Sequence, residues 1–293
     1  MNILVKTKLI LGTANFGNAY GISNNGKALL PQDSKSVISW AQSNGVNHFD
    51  TALAYGEAQE ILGRYLNQSL APIVDSKLNA ESCGSSKSIV DATRKARENL
   101  GINQISTLYL HNEDLLQSSN VREIVVGLNR VLDLGLARKI GVSVYSEAAV
   151  IACKKVLPEL TVFQVPENIC DRRLISSKVI AKMSDEGNTF ILRSIFLQGL
   201  LLMDPISMPL KLRLANVGVR ELNEFASMNS LTTVELCLAY AHSISWASGI
   251  IVGIASLEQL KLIRESSKSL PDGWDTAIAT LPSEIIDPRK WSN

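Results

Sequence analysis

The chain has 293 residues, of which 46% are hydrophobic and 19% charged, a composition that supplies enough apolar surface for one large core. Its 29 basic side chains are balanced by 28 acidic ones, which leaves a net charge of +1 and disfavours nucleic acid and acidic membrane surfaces as partners. We therefore expect a small-molecule partner, and we make no prediction of an oligomeric state.

The cysteines and the apolar stretches indicate the compartment. Four cysteines, Cys83, Cys153, Cys170 and Cys237, are scattered without a C-x-x-C pair, which is typical of a reducing compartment and argues against a disulfide framework or a zinc site. No apolar stretch approaches the roughly 20 residues that a membrane-spanning helix needs. The segment MNILVKTKLILG lacks a small-residue cleavage site. We expect a cytoplasmic protein without a metal site.

Eight short β-rich runs recur along the chain and predict eight strands. In chain order they are KLILGT (8–13), VNHFDT (46–51), PIVDSK (72–77), ISTLYLH (105–111), ARKIGVS (137–143), LTVFQV (160–165), NTFILRS (188–194) and SGIIVG (248–253). Segments with helical spacing lie between them; one example is the set Ile89, Ala92, Ala96 and Leu100. Continuous apolar strands that alternate with amphipathic helices indicate parallel strands buried on both faces.

Eight such units predict a (β/α)8 TIM barrel, an α/β fold, as a single domain over residues 1–293. Glycines stand where predicted helices should end, as C-terminal caps do, at Gly45, Gly101, Gly135 and Gly187. The last connection, 194–247, is long enough for two helices and a loop. A doubly wound open sheet is the alternative, but no G-x-G-x-x-G follows the first predicted strand.

Four polar residues end or follow successive predicted strands: Asp50, Tyr55, Lys77 and His111. Because parallel strands of a barrel finish at one face, we expect these side chains to share one pocket. The Lys77 ammonium would lower the pKa of Tyr55, Asp50 would supply the counter-charge of Lys77, and His111 would donate a hydrogen bond to a substrate oxygen. Each residue alone has a plainer interpretation, such as a surface lysine or a packed tyrosine, and their order along the chain favours catalysis.

The chemistry that this set predicts is protonation of an oxyanion. A carbonyl carbon that gains a hydride develops negative charge on its oxygen, and fixed donors in a dry pocket stabilise that charge. None of the four residues can supply the hydride, so a cofactor must.

Seven motifs follow one another along the chain and resemble the aldo-keto reductase family: LGTANFG, FDTALAYG, DSK, YLH, GVS, the segment 164–168 and IVGIASLEQL. The resemblance implies a (β/α)8 barrel that reduces an aldehyde or ketone to an alcohol, usually with NADPH, although NADH is not excluded. It also implies a catalytic tetrad in which Tyr55 is the general acid, Lys77 and Asp50 tune it, and His111 orients the substrate carbonyl.

The resemblance further implies cofactor-binding residues at the ends of several strands. These are Thr13, Asp50, Ser143, Gln164, Arg193, Phe196, Gln198, Gly253, Ser256 and Gln259. Two positions depart from the family pattern, because Arg193 stands where an aromatic ring commonly stacks on nicotinamide and Ile263 where an asparagine approaches adenine. Gln259 matches one variant of the clamp for the 2′-phosphate of NADPH, and Lys261 or Arg264 could add charge unless they are simple surface residues.

Polar residues in loops at the same face could line a pocket for a hydroxylated substrate: Tyr20, Asn112, Glu113, Tyr145 and Arg172. The stretches LGTANFGNAYGISN, RSIFLQGLLL and IDPRKW resemble family members of bacterial surface-carbohydrate and nucleotide-sugar pathways, which implies a sugar-like carbonyl substrate. The C-terminal segment, with Trp274 and Trp291, is predicted either to cover one side of the barrel or to close the pocket.

Two other functions remain open at this point. A binding or regulatory protein could keep a nicotinamide cofactor with little turnover, as channel-associated relatives of the family are thought to do. A Schiff-base lyase that uses Lys77 as its nucleophile is also considered, because a lysine at a barrel strand end can begin that chemistry. It is less favoured than the other functions.

Overall fold

Eight parallel strands close into a barrel, each hydrogen-bonded to the next in chain order and β8 to β1. The structure is a computed structural model that describes residues 7–18, 20–22 and 27–291. The strands are β1 (Lys8–Gly12), β2 (His48–Asp50), β3 (Ile73–Leu78), β4 (Ile105–Leu110), β5 (Ala137–Ser143), β6 (Val162–Pro166), β7 (Thr189–Arg193) and β8 (Ala247–Gly253). The predicted (β/α)8 barrel is thus confirmed, and each predicted strand end lies within two residues of the observed one.

Helices alternate with these strands. They are α1 (Pro31–Ser43), α2 (Ala58–Tyr65), α3 (Ser86–Leu100), α4 (Val121–Asp133), α5 (Glu147–Val156), α6 (Lys178–Asp185), α7 (Asn216–Met228), α8 (Thr233–Ser243), α9 (Leu257–Glu265) and the short α10 (Trp274–Ala277). The long connection between β7 and β8 carries α7 and α8, as predicted. Within the described ranges, no helix combines the length and the apolar character that crossing a bilayer requires.

Glycines end several of these helices in the predicted way. Gly45, Gly101, Gly135 and Gly187 have φ values of 78°, 63°, 64° and 93°, in the left-handed region where a side chain would be strained. Each therefore allows the chain to leave a helix sharply and enter the next strand, so the helices and strands keep the spacing that a closed barrel needs.

The barrel interior is filled by large side chains from several strands. Ile10, Tyr109, Val162 and Ile191 form one buried cluster there. Opposite Tyr109, a Cβ built on Gly141 would lie only 2.6 Å from the ring, so the glycine on β5 gives the ring its space. The Nζ atom of Lys77 lies 5.9 Å from the centroid of the same ring. Tyr109 thus forms the floor beneath the polar residues at the strand ends.

The C-terminal segment was predicted either to cover one side of the barrel or to close the pocket, and the structure shows contacts of both kinds. The Leu281 amide donates to the Cys170 carbonyl at 2.9 Å, which fixes the segment against the end of the barrel. Trp291 is buried, and Pro288 reaches the wall of the cavity at the strand ends. The segment therefore covers one side of the barrel and narrows the cavity as well.

Candidate active site

A cavity of ≈ 260 Å³ opens at the carboxyl ends of the strands. Asp50 ends β2, Lys77 is the next to last residue of β3, His111 directly follows β4, and Tyr55 lies in the loop after β2. All four side chains line the cavity. The fold therefore brings together the four residues that the sequence singled out.

Lys77 and Asp50 form a buried ion pair. The Nζ atom of Lys77 contacts Asp50 Oδ2 and also donates to the Thr51 carbonyl at 3.2 Å. The second carboxylate oxygen of Asp50 accepts a hydrogen bond from Gln164 Nε2 at 2.6 Å. Both side chains are about as buried as core residues, with 3% and 4% exposure. The charge of Lys77 is thus neutralised inside the protein, as a buried cation requires.

Tyr55 is half-buried beside this pair. The Nζ atom of Lys77 lies 5.3 Å from the centroid of the Tyr55 ring. Burial and then the Asp50 carboxylate raise the pKa of Tyr55, and the cation that acts in the opposite direction is Arg193. The prediction that Lys77 lowers this pKa is therefore wrong, because Asp50 neutralises the ammonium and burial disfavours the phenolate. At neutral pH, Tyr55 keeps its proton and remains a donor.

His111 faces Tyr55 across the cavity wall. The two rings meet edge to face, with centroids 5.9 Å apart. Burial, followed by the charge of Lys77, lowers the pKa of His111 to about 4. The imidazole is therefore neutral at neutral pH and has one N–H to donate and one nitrogen that accepts. Two uncharged donors, a phenol and an imidazole, thus face the same space.

The wall on the side of β5 to β8 contains most of the predicted cofactor residues: Ser143, Gln164, Arg193, Phe196, Gln198, Gly253 and Gln259. Gln164 Oε1 is buried and has no hydrogen-bond partner in the described part of the chain. A carboxamide NH2 group is a donor of the kind that this oxygen needs. A Cβ built on Gly253 meets nothing within 4 Å, so the wall is open there. Both observations fit a nicotinamide cofactor.

The loop after β7 lines this wall with a strained backbone. Ser194, Leu197 and Gln198 have φ values of 61°, 47° and 53°, which side chains rarely adopt. The Ile22 amide donates to the Gln198 carbonyl at 3.1 Å, so the loop after β1 joins the loop after β7 over the cavity. Such strain persists only where the surroundings fix the backbone, and it is common at ligand sites.

At the β8 end of the cavity, Ser256 caps α9 by accepting a hydrogen bond from the Gln259 amide at 3.2 Å. The side chain of Gln259 accepts from the Ala255 amide at 2.7 Å. Arg264 donates to the Asn44 carbonyl at 3.1 Å, beyond the end of α1. Neither Arg264 nor Lys261 is among the residues that line the cavity, so the extra positive charge expected here lies away from the wall.

Arg193 lies at the end of β7 with its guanidinium over Tyr145, and the distance from Cζ to the ring centroid is 4.1 Å. Its Nε atom donates to Ser143 Oγ at 3.1 Å, and one terminal nitrogen donates to the Val144 carbonyl at 3.1 Å. Arg193, at a position where the resemblance implies an aromatic ring, is thus held against the loop after β5. Tyr145 lines the cavity, as does Tyr20.

Several predicted residues lie outside the cavity wall. Thr13 is buried, and its hydroxyl donates to the Asp50 carbonyl at 3.1 Å, so it positions the acid from behind. Asn112 accepts from the Asp114 amide at 3.0 Å and thereby begins a short helical turn. Arg172 donates to the Ile169 carbonyl at 2.7 Å and holds the C-terminal segment. Glu113 and Ser256 also hold backbone amides.

The sequence analysis missed several residues of the wall, among them Asn15 and Pro288. Asn15 lines the cavity, and its Nδ2 atom donates to the Ile254 carbonyl at 2.9 Å, which ties the loop after β1 to the loop after β8. It lies within the LGTANFG motif directly after a strand, and that position was the available signal. Pro288 comes from the C-terminal segment, and no local pattern places it there.

Comparisons with known proteins agree with this geometry. Residues 8–271 match the model of the Aldo/keto reductase family. The chain is 29% identical over 155 residues to a probable voltage-gated potassium channel subunit beta from Arabidopsis thaliana, which covers 49% of this chain and 46% of the relative. It is 26% identical over 141 residues to the oxidoreductase sirO from Leptosphaeria maculans, which covers 46% of this chain and 42% of that protein. The chain thus matches less than half the length of each of these relatives.

A similar solved structure is that of a glycerol dehydrogenase from Gluconobacter oxydans. The two share a TM-score of 0.72 and 19% sequence identity, with 93% of this chain and 90% of the other covered. At this identity the likeness shows the fold alone. The family model extends over nearly the whole barrel, and the strand-end residues lie in one cavity. We conclude that this chain belongs to the aldo/keto reductase family.

Proposed function

We propose that this protein is an oxidoreductase that reduces an aldehyde or ketone to an alcohol with a nicotinamide cofactor. The main support for the proposal is that two neutral proton donors, Tyr55 and His111, line one cavity together with the buried Lys77–Asp50 pair. Family membership supports the same reaction class.

The chain's own residues would bind and protonate the substrate oxygen. The neutral His111 donates a hydrogen bond to the carbonyl oxygen and aims it at Tyr55. A bound nicotinamide cofactor would supply the hydride for the new C–H bond. As negative charge develops on the oxygen, the Tyr55 hydroxyl breaks its O–H bond and gives the proton to that oxygen, which completes the alcohol. The nearby guanidinium of Arg193 then stabilises the tyrosinate.

The same cavity would hold the cofactor on the side of β5 to β8. Gln164 Oε1 and Ser143 would bind the carboxamide, and backbone N–H groups at the start of α9 would bind a phosphate. We propose NADPH as the cofactor because of the resemblance at Gln259. Arg264 and Lys261, which were expected to add positive charge near the 2′-phosphate, do not line the wall. The preference for NADPH over NADH is therefore tested by comparing kcat/KM for the two cofactors.

The substrate is proposed to be a sugar-like carbonyl compound. The sequence resemblance suggests this class, and the polar side chains of Tyr20, Tyr145 and Arg193 in the wall support a hydroxylated substrate.

The first experiment follows the oxidation of NADPH, by its absorbance, with a reactive aldehyde such as 4-nitrobenzaldehyde. We expect turnover by the natural protein and a fall in kcat of about 10²- to 10⁴-fold in Tyr55→Phe, because the acid is removed. A fluorescence titration of NADPH serves as the control and should give a similar Kd for both proteins. An unchanged kcat in Tyr55→Phe would show that Tyr55 is not the acid.

A regulatory protein with a bound nicotinamide is the second candidate, and the similarity to a potassium channel subunit beta favours it. That function predicts tight NADPH binding with negligible turnover over a broad panel of carbonyl compounds. The Schiff-base lyase has less support, because Lys77 is buried and its ammonium is held by Asp50. Covalent trapping of substrate on Lys77 by borohydride is the result that would favour the lyase.

A further inference from the structure

Two strongly basic side chains line the cavity, Lys77 and Arg193, and only one of them is neutralised. Lys77 is paired with Asp50. No carboxylate oxygen of the described residues lies within 4.0 Å of the Arg193 guanidinium. An arginine remains charged at any physiological pH. The cavity wall therefore carries one positive charge that has no counter-ion among the described residues.

The guanidinium of Arg193 is fixed, yet it still has donors to offer. An arginine has five N–H groups. Three hydrogen bonds are formed within the described residues: to Ser143 Oγ and the Val144 carbonyl at 3.1 Å each, and to Ser194 Oγ at 3.4 Å. All three acceptors are uncharged. The remaining N–H groups have no acceptor in the described part of the chain, although the group is already oriented.

The ring beneath Arg193 is itself held in place. The Cζ atom of Arg289 lies 3.5 Å from the Tyr145 centroid, against 4.1 Å for Arg193. Two guanidinium planes cannot share one face at these distances, so they lie on opposite faces of the ring. The Tyr145 amide donates to Glu113 Oε2 at 2.7 Å. Tyr145 is thus a rigid platform that presents Arg193 to the cavity.

The nearby carboxylates are already occupied by other arginines. Arg289 is paired with Asp287 at 2.8 Å and approaches Glu113 at 3.9 Å. Arg173 is paired with Asp171 at 2.7 Å. These acids therefore do not compensate Arg193, whose counter-charge must come from outside the described chain.

Arg193 also lies close to the proton donors. Its charge lowers the pKa values of Tyr55 and Tyr20 against the opposing effect of burial, and it opposes protonation of His111. Because Arg193, Tyr55 and His111 line the same cavity, a molecule whose carbonyl oxygen reaches Tyr55 can place an anionic group on Arg193.

We propose that Arg193 binds an anionic group, a carboxylate or a phosphate, on the carbonyl substrate. This inference rests on the proposed function and narrows its substrate class to carbonyl compounds that carry such a group. The guanidinium of Arg193 is oriented by its three hydrogen bonds and by the ring of Tyr145. Its remaining N–H groups can therefore donate to two oxygens of one anion, and charge-assisted hydrogen bonds of this kind are strong.

The test compares kcat/KM within two pairs of aldehydes that differ in charge. One pair is succinic semialdehyde and its methyl ester; the other is D-glyceraldehyde 3-phosphate and D-glyceraldehyde. We expect the natural protein to prefer the charged member of at least one pair by about ten- to a hundredfold. The pair that shows the preference identifies the anion as carboxylate or phosphate.

The variant Arg193→Gln should bring that ratio close to one, and Arg193→Lys should retain part of it. Any effect of Arg193 on the cofactor changes both members of a pair equally and cancels in the ratio. Arg220→Gln, on the exposed side of α7, removes the same charge elsewhere and should keep the ratio of the natural protein.

Three results would overturn the inference. Turnover of both members at equal kcat/KM by the natural protein would refute anion recognition and leave the reductase function intact, and so would a ratio that survives in Arg193→Gln. Absence of turnover with all four aldehydes would instead contradict the proposed function itself, and this inference with it.

Discussion

Lys77 and Arg193 lie in the same cavity wall, but their surroundings differ in kind. Lys77, on β3, is buried and has a carboxylate and a carbonyl as partners. Arg193, on β7, is partly exposed and has only uncharged partners. The charge of Lys77, on the side of β2 to β4, is thus neutralised within the protein. The charge of Arg193, on the side of β5 to β8, is available to a bound ligand.

The same division extends to other polar groups. Both oxygens of Asp50 have donors, but Gln164 Oε1 and Asn15 Oδ1 are buried without partners in the described part of the chain. The non-glycine residues of the wall with positive φ, Ser194 and Gln198, both lie in the loop after β7. Unpaired buried acceptors and strain are costly, and a bound ligand would offset part of that cost.

The largest effect on stability should come from breaking the Lys77–Asp50 pair. Lys77→Met leaves Asp50 buried without its cation, and Asp50→Asn leaves Lys77 buried without its anion. Each should lower the free energy of unfolding by about 3–5 kcal/mol. Because the double variant buries no unpaired charge, it should recover most of the loss. Urea unfolding followed by circular dichroism measures all three variants.

The exposed pair Lys87–Asp91 on α3 provides the control. Lys87→Met should leave the unfolding curve nearly unchanged, because an exposed ion pair gains little in water. If Lys77→Met were as mild as Lys87→Met, the side of β2 to β4 could not depend on internal charge pairing.

A smaller effect should appear as a pH dependence caused by His111. Its pKa falls from 6.5 to about 4 in the folded protein, so the unfolded chain binds more protons between these values and stability decreases as pH falls through this range. Between pH 7 and pH 5, the natural protein should lose about 2 kcal/mol more stability than His111→Gln. Urea unfolding at both pH values checks this, and equal losses would refute a buried neutral imidazole.

The smallest effect concerns the open wall at the end of β8. Since a Cβ on Gly253 meets no atom within 4 Å, Gly253→Val should keep the thermal midpoint of unfolding. If the cofactor packs on this glycine, its Kd should rise by about tenfold or more, as expected for the loss of roughly 1.4 kcal/mol of binding free energy. NADPH fluorescence titration measures the Kd. An unchanged Kd would show that the cofactor lies elsewhere.

The strand ends were predictable because parallel strands place the residues that follow them at one face. Asp50, Lys77 and His111 needed only this rule. The pKa of Tyr55 could not be predicted in the same way, because its sign depends on burial and on the distance to Asp50 as well as to Lys77. Composition and spacing do not determine these quantities.

The loops show where sequence reasoning ends. Asn112 and Arg172 were predicted to line the pocket, but nearby backbone groups are their partners, a competition that is common for polar side chains in turns. Pro288 and Arg289 reach the site from the C-terminal segment. Their position depends on contacts with residues far away in sequence, such as Glu113 and Tyr145, and no local pattern encodes those contacts.

The central claim is that the substrate carbon receives a hydride while Tyr55 supplies a proton to the oxygen. The most direct measurement is mass spectrometry of the product formed from 4-nitrobenzaldehyde and NADPH that carries deuterium at the transferable C4 position. We predict an alcohol with one deuterium on the carbinol carbon, formed by the natural protein and strongly reduced in Tyr55→Phe. Unlabelled alcohol, or equal labelled product from both proteins, would contradict the account.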